Sequence, residues 1–244
     1  MFHFIHSNIY FMETVKRNEI PVCPEMGVIP DPLSLESAAI FTDEALTPGE
    51  PGIITSDDLI PSPDEVLDYK IKKLSIAILS EEGFEEVELT SPMEALKDAG
   101  LKVELIAPHG ATIRGWNAHN WGKEVKVDKS LKFTNVEDYD AVVLPGGVMN
   151  SDKLRQNKDA VYFISECIRQ GKTIAAICHG GQLLIETGMI SGTTMTSYPS
   201  LQTDFRNAGV NWVDEEMVHY GQFITSRKPA DLDAFNRELI RTLL

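Results

Sequence analysis

Cys178 closes the run Thr-Ile-Ala-Ala-Ile at 173–177 and is followed at once by His179, Gly180 and Gly181. An apolar strand that runs straight into a cysteine, then into glycines and a helix, must turn sharply at the cysteine. Such a turn forces the residue into a sparsely populated backbone conformation and lifts its side chain above the sheet. Unpaired N–H groups at the start of the next helix can receive an oxyanion. The same helix end favours thiolate over thiol, so a depressed Cys178 pKa is expected, in the range of about 3.5–7.5 found at such positions. The chemistry this permits is nucleophilic: a thiolate attacks an electrophilic carbonyl while an adjacent base handles the proton. His179 is the first candidate for that base, with its ring held by a carboxylate from elsewhere.

A second group of chemically able residues is the acidic run Glu81, Glu82, Gly83, Phe84, Glu85, Glu86, Val87, Glu88. Most of these acids are expected to be solvated and to favour a helix N-terminus. Glu85 and Glu88 stand three apart and so share a helical face. Where that face meets the Cys178 elbow, one carboxyl is desolvated beside sulfur. Its pKa then rises and it can donate a hydrogen bond to the thiolate.

The elements that must position these groups are legible as alternating strands and helices. Leu74–Leu79 is a short apolar run suited to a buried parallel strand. Glu85–Ala99 has helical spacing through Val87, Leu89, Met93 and Leu96, and stops at Gly100. Lys102–Ala107, Ala141–Leu144 and Thr173–Ile177 are further strands, Ala160–Gln170 and Gly180–Thr187 helices, and Leu232–Leu244 an amphipathic terminal helix. Residues 112–127 read as a hairpin excursion carrying Trp116 and Trp121, which either wall a pocket or pack an interface. A second hairpin is expected at Met217–Tyr220 and Phe223–Ser226. This alternation predicts an α/β three-layer sandwich with a parallel sheet, right-handed crossovers and helices on both faces. Ligands of such sheets bind beyond the carboxyl ends of the strands. That rule singles out the loops Ser80–Glu88, Pro145–Asp152 and Cys178–Gly181.

Composition narrows the functions. The net charge of −15 repels phosphate backbones and anionic membranes, so neither nucleic acid nor a membrane is an expected partner. No run of about 18 or more apolar residues is present to span a bilayer. Cys23, Cys167 and Cys178 lack paired spacing, which argues against a disulfide framework or a zinc site and points to a reducing, cytoplasmic setting. Cys167 shares a helical face with Val161, Ile164 and Ile168 and is read as core; Cys23 is read as inert. His109, His119 and His219 lack ligand spacing, so no metal and no cofactor is expected. The N-terminal twelve residues are apolar and aromatic, but Lys16 and Arg17 follow rather than precede them, unlike a signal peptide, and Met12 is an alternative start. Between Gly27 and Asp68 there is no Lys or Arg, and proline recurs. Residues 1–70 are therefore read as an acidic, largely irregular extension and 71–244 as the catalytic domain.

The segments GFEEVEL (83–89), VLPGG (143–147), AICHG (176–180), TSYPS (196–200), NAGVNWVDEE (207–216) and SRKPADL (226–232) follow one another in an order that resembles the ThiJ/PfpI superfamily, most closely its PfpI-type intracellular protease/amidase branch. The resemblance implies a flavodoxin-like sandwich, related to class I glutamine amidotransferases, with a nucleophile elbow. It implies that Cys178 is the reactive cysteine, His179 its neighbour, and Glu88 the acid that hydrogen-bonds it. Glu85 matches a second acid of that loop, and Tyr198 an aromatic residue near the pocket. Gly147 and the His179–Gly180 stretch would turn backbone N–H groups toward an oxyanion. Asp152 matches, within one residue, an acid that reaches the histidine across a subunit interface, so a homo-oligomer, dimer or hexamer, is implied. Relatives act on methylglyoxal, on glycated amino groups or on peptides, which makes a small carbonyl compound or a peptide the expected substrate. A redox-sensing or holdase role built on oxidisable Cys178 is the non-enzymatic alternative. An amidotransferase subunit would need a downstream His-x-Glu, and the corresponding Ser226-Arg227-Lys228-Pro229 has no histidine. Gly181 replaces a proline that many relatives carry, which implies a less rigid elbow.

Overall fold

The computed structural model describes residues 62–64, 66, 67, 69 and 74–244, which fall within the compact unit Ile54–Leu244. The N-terminal extension expected at 1–70 lies outside the described residues except for 62–64, 66, 67 and 69, of which all but Ser62 are helical.

From residue 75 the chain runs β1 (Ser75–Leu79), β2 (Phe84–Glu85), α1 (Glu86–Asp98), β3 (Lys102–Ala107), β4 (Thr112–Asn117), β5 (Asn120–Lys126), β6 (Lys129–Ser130) and β7 (Ala141–Leu144). It continues through α2 (Val148–Gln156), α3 (Lys158–Arg169), β8 (Thr173–Ile177), a single 3-10 turn (Cys178–Gly181) and α4 (Gln182–Glu186). The last elements are β9 (Thr194–Met195), α5 (Gln202–Asn207), β10 (Asn211–Trp212), β11 (Met217–Tyr220), β12 (Phe223–Ser226) and α6 (Leu232–Leu243).

The main sheet has the order β11-β12-β8-β7-β1-β3-β6 and is parallel except for β11, which returns antiparallel onto β12. Side-chain parity decides which layer each strand residue joins. Ala77, Leu79, Val142, Leu144, Ile174 and Ala176 point into one core with Phe163 and Ile164 of α3, Leu183 and Leu184 of α4, and Phe205 of α5. Ile76, Ile78, Val143, Ala175 and Ile177 point into the other with Leu89 and Leu96 of α1 and Phe235 and Leu239 of α6. Burial of both faces is why these strands read as unbroken apolar runs. On the second face, Asn236 Nδ2 donates to Ser91 Oγ at 2.8 Å and ties α6 to α1. Cys167 is fully buried in the first core, as its helical spacing predicts.

Two expected boundaries move. The segment 145–152, read as a loop, becomes helix α2 directly after Gly147. Its pattern hid it: the buried residues are Asn150, Ser151 and Leu154, two of them polar. The helix expected at 180–187 opens instead as the tighter 3-10 turn at 178–181 and is α-helical only from Gln182 to Glu186.

The excursion at 112–127 is the antiparallel pair β4–β5. It does not join the main sheet; β4 pairs parallel with the two-residue β2, setting Phe84 opposite Gly115 and Glu85 opposite Trp116. This small sheet brings the hairpin to the carboxyl end of β1.

Candidate active site

Ile177 leaves β8 with φ −121°, and Cys178 follows with φ 59°. A left-handed conformation in a non-glycine residue is strained and persists only where the surroundings enforce it. Here the enforcement comes from both sides. Tyr198 N–H donates to Cys178 O at 3.1 Å, and the following turn packs under Leu144 and Pro145. Cys178 Sγ lies 3.3 Å from His179 Nδ1. His179 Nε2 lies 3.3 Å from Ser200 Oγ, and the imidazole stacks on Tyr198 at 4.7 Å with 28° between the rings. The histidine is thus fixed by an aromatic face and one hydroxyl of the same chain. Burial lowers its pKa, so the neutral imidazole, the form that accepts a proton, is favoured.

Glu88, in the first turn of α1, is fully buried. Its Oε2 accepts from Gly146 N–H at 3.1 Å, the carboxyl interacts with the Cys178 thiol, and Oε1 is buried without a partner. Desolvation raises its pKa to about 8, the thiol and the Gly146 amide opposing and the charge of Glu85 adding to the rise. At neutral pH it is a carboxylic acid with a proton to give. Gly146 has to be glycine: a Cβ there would stand 2.7 Å from Cys178 Cβ and collide with the Glu88 carboxyl.

The thiol corrects a sequence expectation. Cys178 is 7% exposed, and burial, followed by the charge of Glu88, pushes its pKa up rather than down. Amides of His179 and Gly147 pull it back, as the elbow argument anticipated, but do not outweigh desolvation. The physical reason is depth: the amides that stabilise a thiolate lie in the same enclosed space that removes its water. With Glu88 protonated, its charge no longer opposes the thiolate and its proton can be shared with sulfur. Carboxyl and thiol then act as one titrating unit.

Glu85 ends β2 as the N-cap residue of α1 and is not itself helical, so it and Glu88 meet through a strand-to-helix junction and not through helical periodicity. Both line a cavity of about 290 Å³, with Gly83, Trp116, Gly147, Val148, Met149, Cys178, His179, Tyr198 and Pro229 completing its wall. Gly180 does not reach it; that residue packs against Leu144 O. Asp152 sits on the exposed side of α2, accepting from Gln156 Nε2 at 2.9 Å. A larger cavity of about 500 Å³ between residues 131–137 and α3 is lined, among the described residues, by no cysteine or histidine.

Sequence reasoning passed over Asn150. It is fully buried and binds both loops of the site at once. Its Oδ1 accepts from Glu81 N–H at 2.7 Å and Ser80 Oγ at 3.3 Å, and its Nδ2 donates to Pro145 O and Gly146 O, each at 2.9 Å. Ser200 and Pro229 were likewise unassigned, although both fall inside motifs already singled out. Gly181 accommodates Phe205, whose Cζ would lie 2.6 Å from an added Cβ. His109 and His219 are engaged by Glu81 and Glu238. Among the described residues no helix is long and apolar enough to cross a membrane.

The chain and the fold that carry this site have counterparts among known proteins. The model of the DJ-1/PfpI family matches residues 74–242, and the chain belongs to that family. It is 41% identical over 170 residues to Deglycase PH1704 of Pyrococcus horikoshii, a match covering 70% of this chain and 99% of that one. It is 39% identical to Deglycase PfpI of Pyrococcus furiosus over the same shares of both chains. Among solved structures, a two-domain protein with DJ-1/ThiJ/PfpI-like and ferritin-like domains from Anabaena variabilis superposes with TM-score 0.65 at 35% identity, covering 70% of this chain and 48% of that one. Drosophila melanogaster DJ-1beta superposes with TM-score 0.64 at 29% identity, covering 70% and 90%. The fold is thereby the flavodoxin-like α/β sandwich that the alternation of elements predicts.

Proposed function

We propose that the protein is a cysteine-dependent enzyme that repairs or removes reactive carbonyls, acting on small dicarbonyls or on their adducts with amino groups, in a stress-protective role. The single observation that carries this reading is Cys178, held at φ 59° between the His179 ring and the protonated Glu88 inside a small cavity. Relatives at about 40% identity named as deglycases support the same reading.

The residues divide the work as follows. His179 takes the Cys178 proton, and the thiolate attacks an aldehyde carbon, forming a C–S bond while the carbonyl electrons move to oxygen. Amides of His179 and Gly147 stabilise that oxyanion, and Glu88 protonates it. For methylglyoxal, moving the aldehydic proton to the neighbouring carbonyl carbon converts the hemithioacetal to a thioester. Water then releases lactate and regenerates the thiol, with no net oxidation. For an amine adduct, the thiolate attacks the carbinolamine carbon, the C–N bond breaks as C–S forms, and Glu88 protonates the departing amine, leaving the same hemithioacetal. A cavity of about 290 Å³ suits substrates of a few carbon atoms at the reacting centre better than a folded peptide chain.

Asp152 has a place in this scheme only through a second copy. It is exposed on α2, on the helix whose Val148 and Met149 rim the cavity with 60% and 38% of their surface open. We propose a homo-oligomer in which a neighbour's Asp152 orients His179. Mixed oligomers of Cys178→Ala and Asp152→Asn subunits should then regain activity that each lacks alone; failure to complement would remove Asp152 from the site.

The function itself is tested by following methylglyoxal consumption and lactate formation by the wild type and Cys178→Ala. The expected result is turnover that disappears in the variant. Folded wild-type protein that turns over neither methylglyoxal nor glycated amines, but cleaves peptides, would move the assignment to the peptidase activity for which a Bacillus subtilis relative, 38% identical, is provisionally named. Selective peroxide oxidation of Cys178 without turnover would move it to redox sensing.

A further inference from the structure

The wall of the cavity has a one-sided chemistry. It presents the carboxyls of Glu85 and Glu88 and the rings of Trp116 and Tyr198, and among the described residues no Lys or Arg lines it. Two cations of the neighbouring elements are engaged elsewhere: Lys153 Nζ donates to Glu82 O, and Arg114 lies over Trp121, 5.4 Å from the ring centroid.

Glu85 and Trp116 are register partners in the parallel pair β2–β4, so their side chains stand side by side on one face of the small sheet. The indole is fixed before any ligand arrives. Its Nε1–H donates to Ala118 O at 3.0 Å across a turn in which Ala118 has φ 52°, and its ring meets Trp121 edge-on at 5.6 Å and 81°. With its Nε1–H already bonded, Trp116 lines the cavity as an aromatic group with no free polar atom. The neighbouring acids are occupied: Glu86 Oε2 accepts from Lys123 N–H, and Glu88 serves Gly146 and Cys178. The Glu85 carboxyl makes no hydrogen bond or ion pair among the described residues, although it is half-buried and stands next to Glu86. A bound cation would relieve both penalties.

We propose that Glu85 and Trp116 form a recognition pair that selects carbonyl substrates carried on a cationic group, a guanidinium or an ammonium, over neutral and anionic ones. The proposal rests on this cavity being the reaction site assigned above. The carboxylate supplies a charge-assisted hydrogen bond and the indole face a cation–π contact, two interactions that an uncharged isostere cannot make with equal strength. An anionic substrate meets two carboxyls and no counter-charge.

Binding to full-length Cys178→Ala, measured by calorimetry, tests this without any requirement for turnover. The probes are Nα-acetyl-arginine amide, its neutral isostere Nα-acetyl-citrulline amide, and Nα-acetyl-glutamate amide. The arginine probe is expected to bind about tenfold or more tightly than the citrulline probe, and the glutamate probe most weakly. Adding Glu85→Gln, which preserves shape, should reduce the arginine-to-citrulline ratio to near one, and Trp116→Leu should reduce it in part. Equal affinity for arginine and citrulline, no measurable binding of any probe, or a preference that survives both substitutions overturns the proposal. A preference found in a protein whose wild type turns over no carbonyl would instead sink the reaction and leave the cation recognition standing.

Discussion

The Glu88 carboxyl and the Cys178 thiol are buried against each other across Gly146, whose amide donates to Glu88 Oε2 at 3.1 Å. Two acids in one dry space cannot both ionise at low cost. The carboxyl keeps its proton to about pH 8, well beyond its value in an unfolded chain. Burial raises the thiol as well, so at neutral pH the pair holds both protons; once His179 takes the one on sulfur, a nucleophile and a proton donor stand side by side, which is what carbonyl addition needs.

That relationship has a cost visible in stability. Between about pH 4.5 and 8 the folded state holds a Glu88 proton that the unfolded chain has lost. Stability therefore falls as pH rises through that window, by up to roughly 5 kcal/mol, and Glu88 contributes no slope outside it. Glu88→Gln should flatten the dependence, leaving the variant more stable than the wild type at pH 8.5 in urea unfolding while its turnover drops about a hundredfold or more. A pH–stability slope unchanged in Glu88→Gln would show that Glu88 is ionised throughout.

The left-handed backbone at Cys178 inverts an ordinary preference. Alanine usually stabilises more than glycine, but at φ 59° glycine carries no steric penalty. Both substitutions remove the thiol and its packing, so their difference isolates the backbone. Cys178→Gly is expected to melt above Cys178→Ala, by about 1 kcal/mol in free energy. The opposite order in paired thermal melts would mean that the elbow is not strained.

Asn150 joins the loop after β1 to the loop after β7 through four hydrogen bonds, all buried. Asn150→Ala takes the Asn150 bond from the carbonyls of Pro145 and Gly146, the latter keeping only the Glu85 amide, and from the Glu81 amide and the Ser80 hydroxyl, at a cost of about 3 kcal/mol or more. Because one of those carbonyls belongs to Gly146, kcat should fall even where the variant remains folded. Full activity in folded Asn150→Ala would show that the two loops hold the site without it.

Gly181 and Phe205 fit as a pair. Gly181→Ala sets a Cβ 2.6 Å from Phe205 Cζ and should cost about 1–3 kcal/mol by overpacking. Phe205→Leu in the same chain should recover part of that loss, which a double-mutant cycle in chemical denaturation measures directly. The glycine that looked like a loosened elbow is, on this account, a tightly filled one.

How far the sequence carried the reading depended on what each residue answers to. The strands at 75–79, 141–144 and 173–177 were legible because both faces of the sheet are buried there and their positions are apolar or small, and 102–107 because its second half, Leu105 to Ala107, is buried in the same way. The elbow was legible because Cys178, His179 and the glycines satisfy a local backbone demand. Helix α2 was not, since its inward residues Asn150 and Ser151 are polar and Asn150 answers to a loop about 70 residues away. Trp116 could be placed near a pocket but not assigned to it, because its position depends on the two-residue pairing of β2 with β4. The direction of the thiol's pKa was misread for a related reason: the amides beside sulfur are a local feature, whereas the burial that outweighs them is made by Glu88, Gly147 and Tyr198 from three separate segments.

The central claim is that the Cys178 sulfur bonds to the substrate carbonyl, and trapping that bond tests it most directly. Wild-type protein mixed with methylglyoxal, quenched in acid during turnover and mapped by peptide mass spectrometry should carry one dicarbonyl equivalent on the peptide containing Cys178. The peptide containing Cys167, whose thiol is fully buried in the core away from the cavity, should carry none. An unmodified Cys178 under conditions where lactate is still being formed would contradict the account.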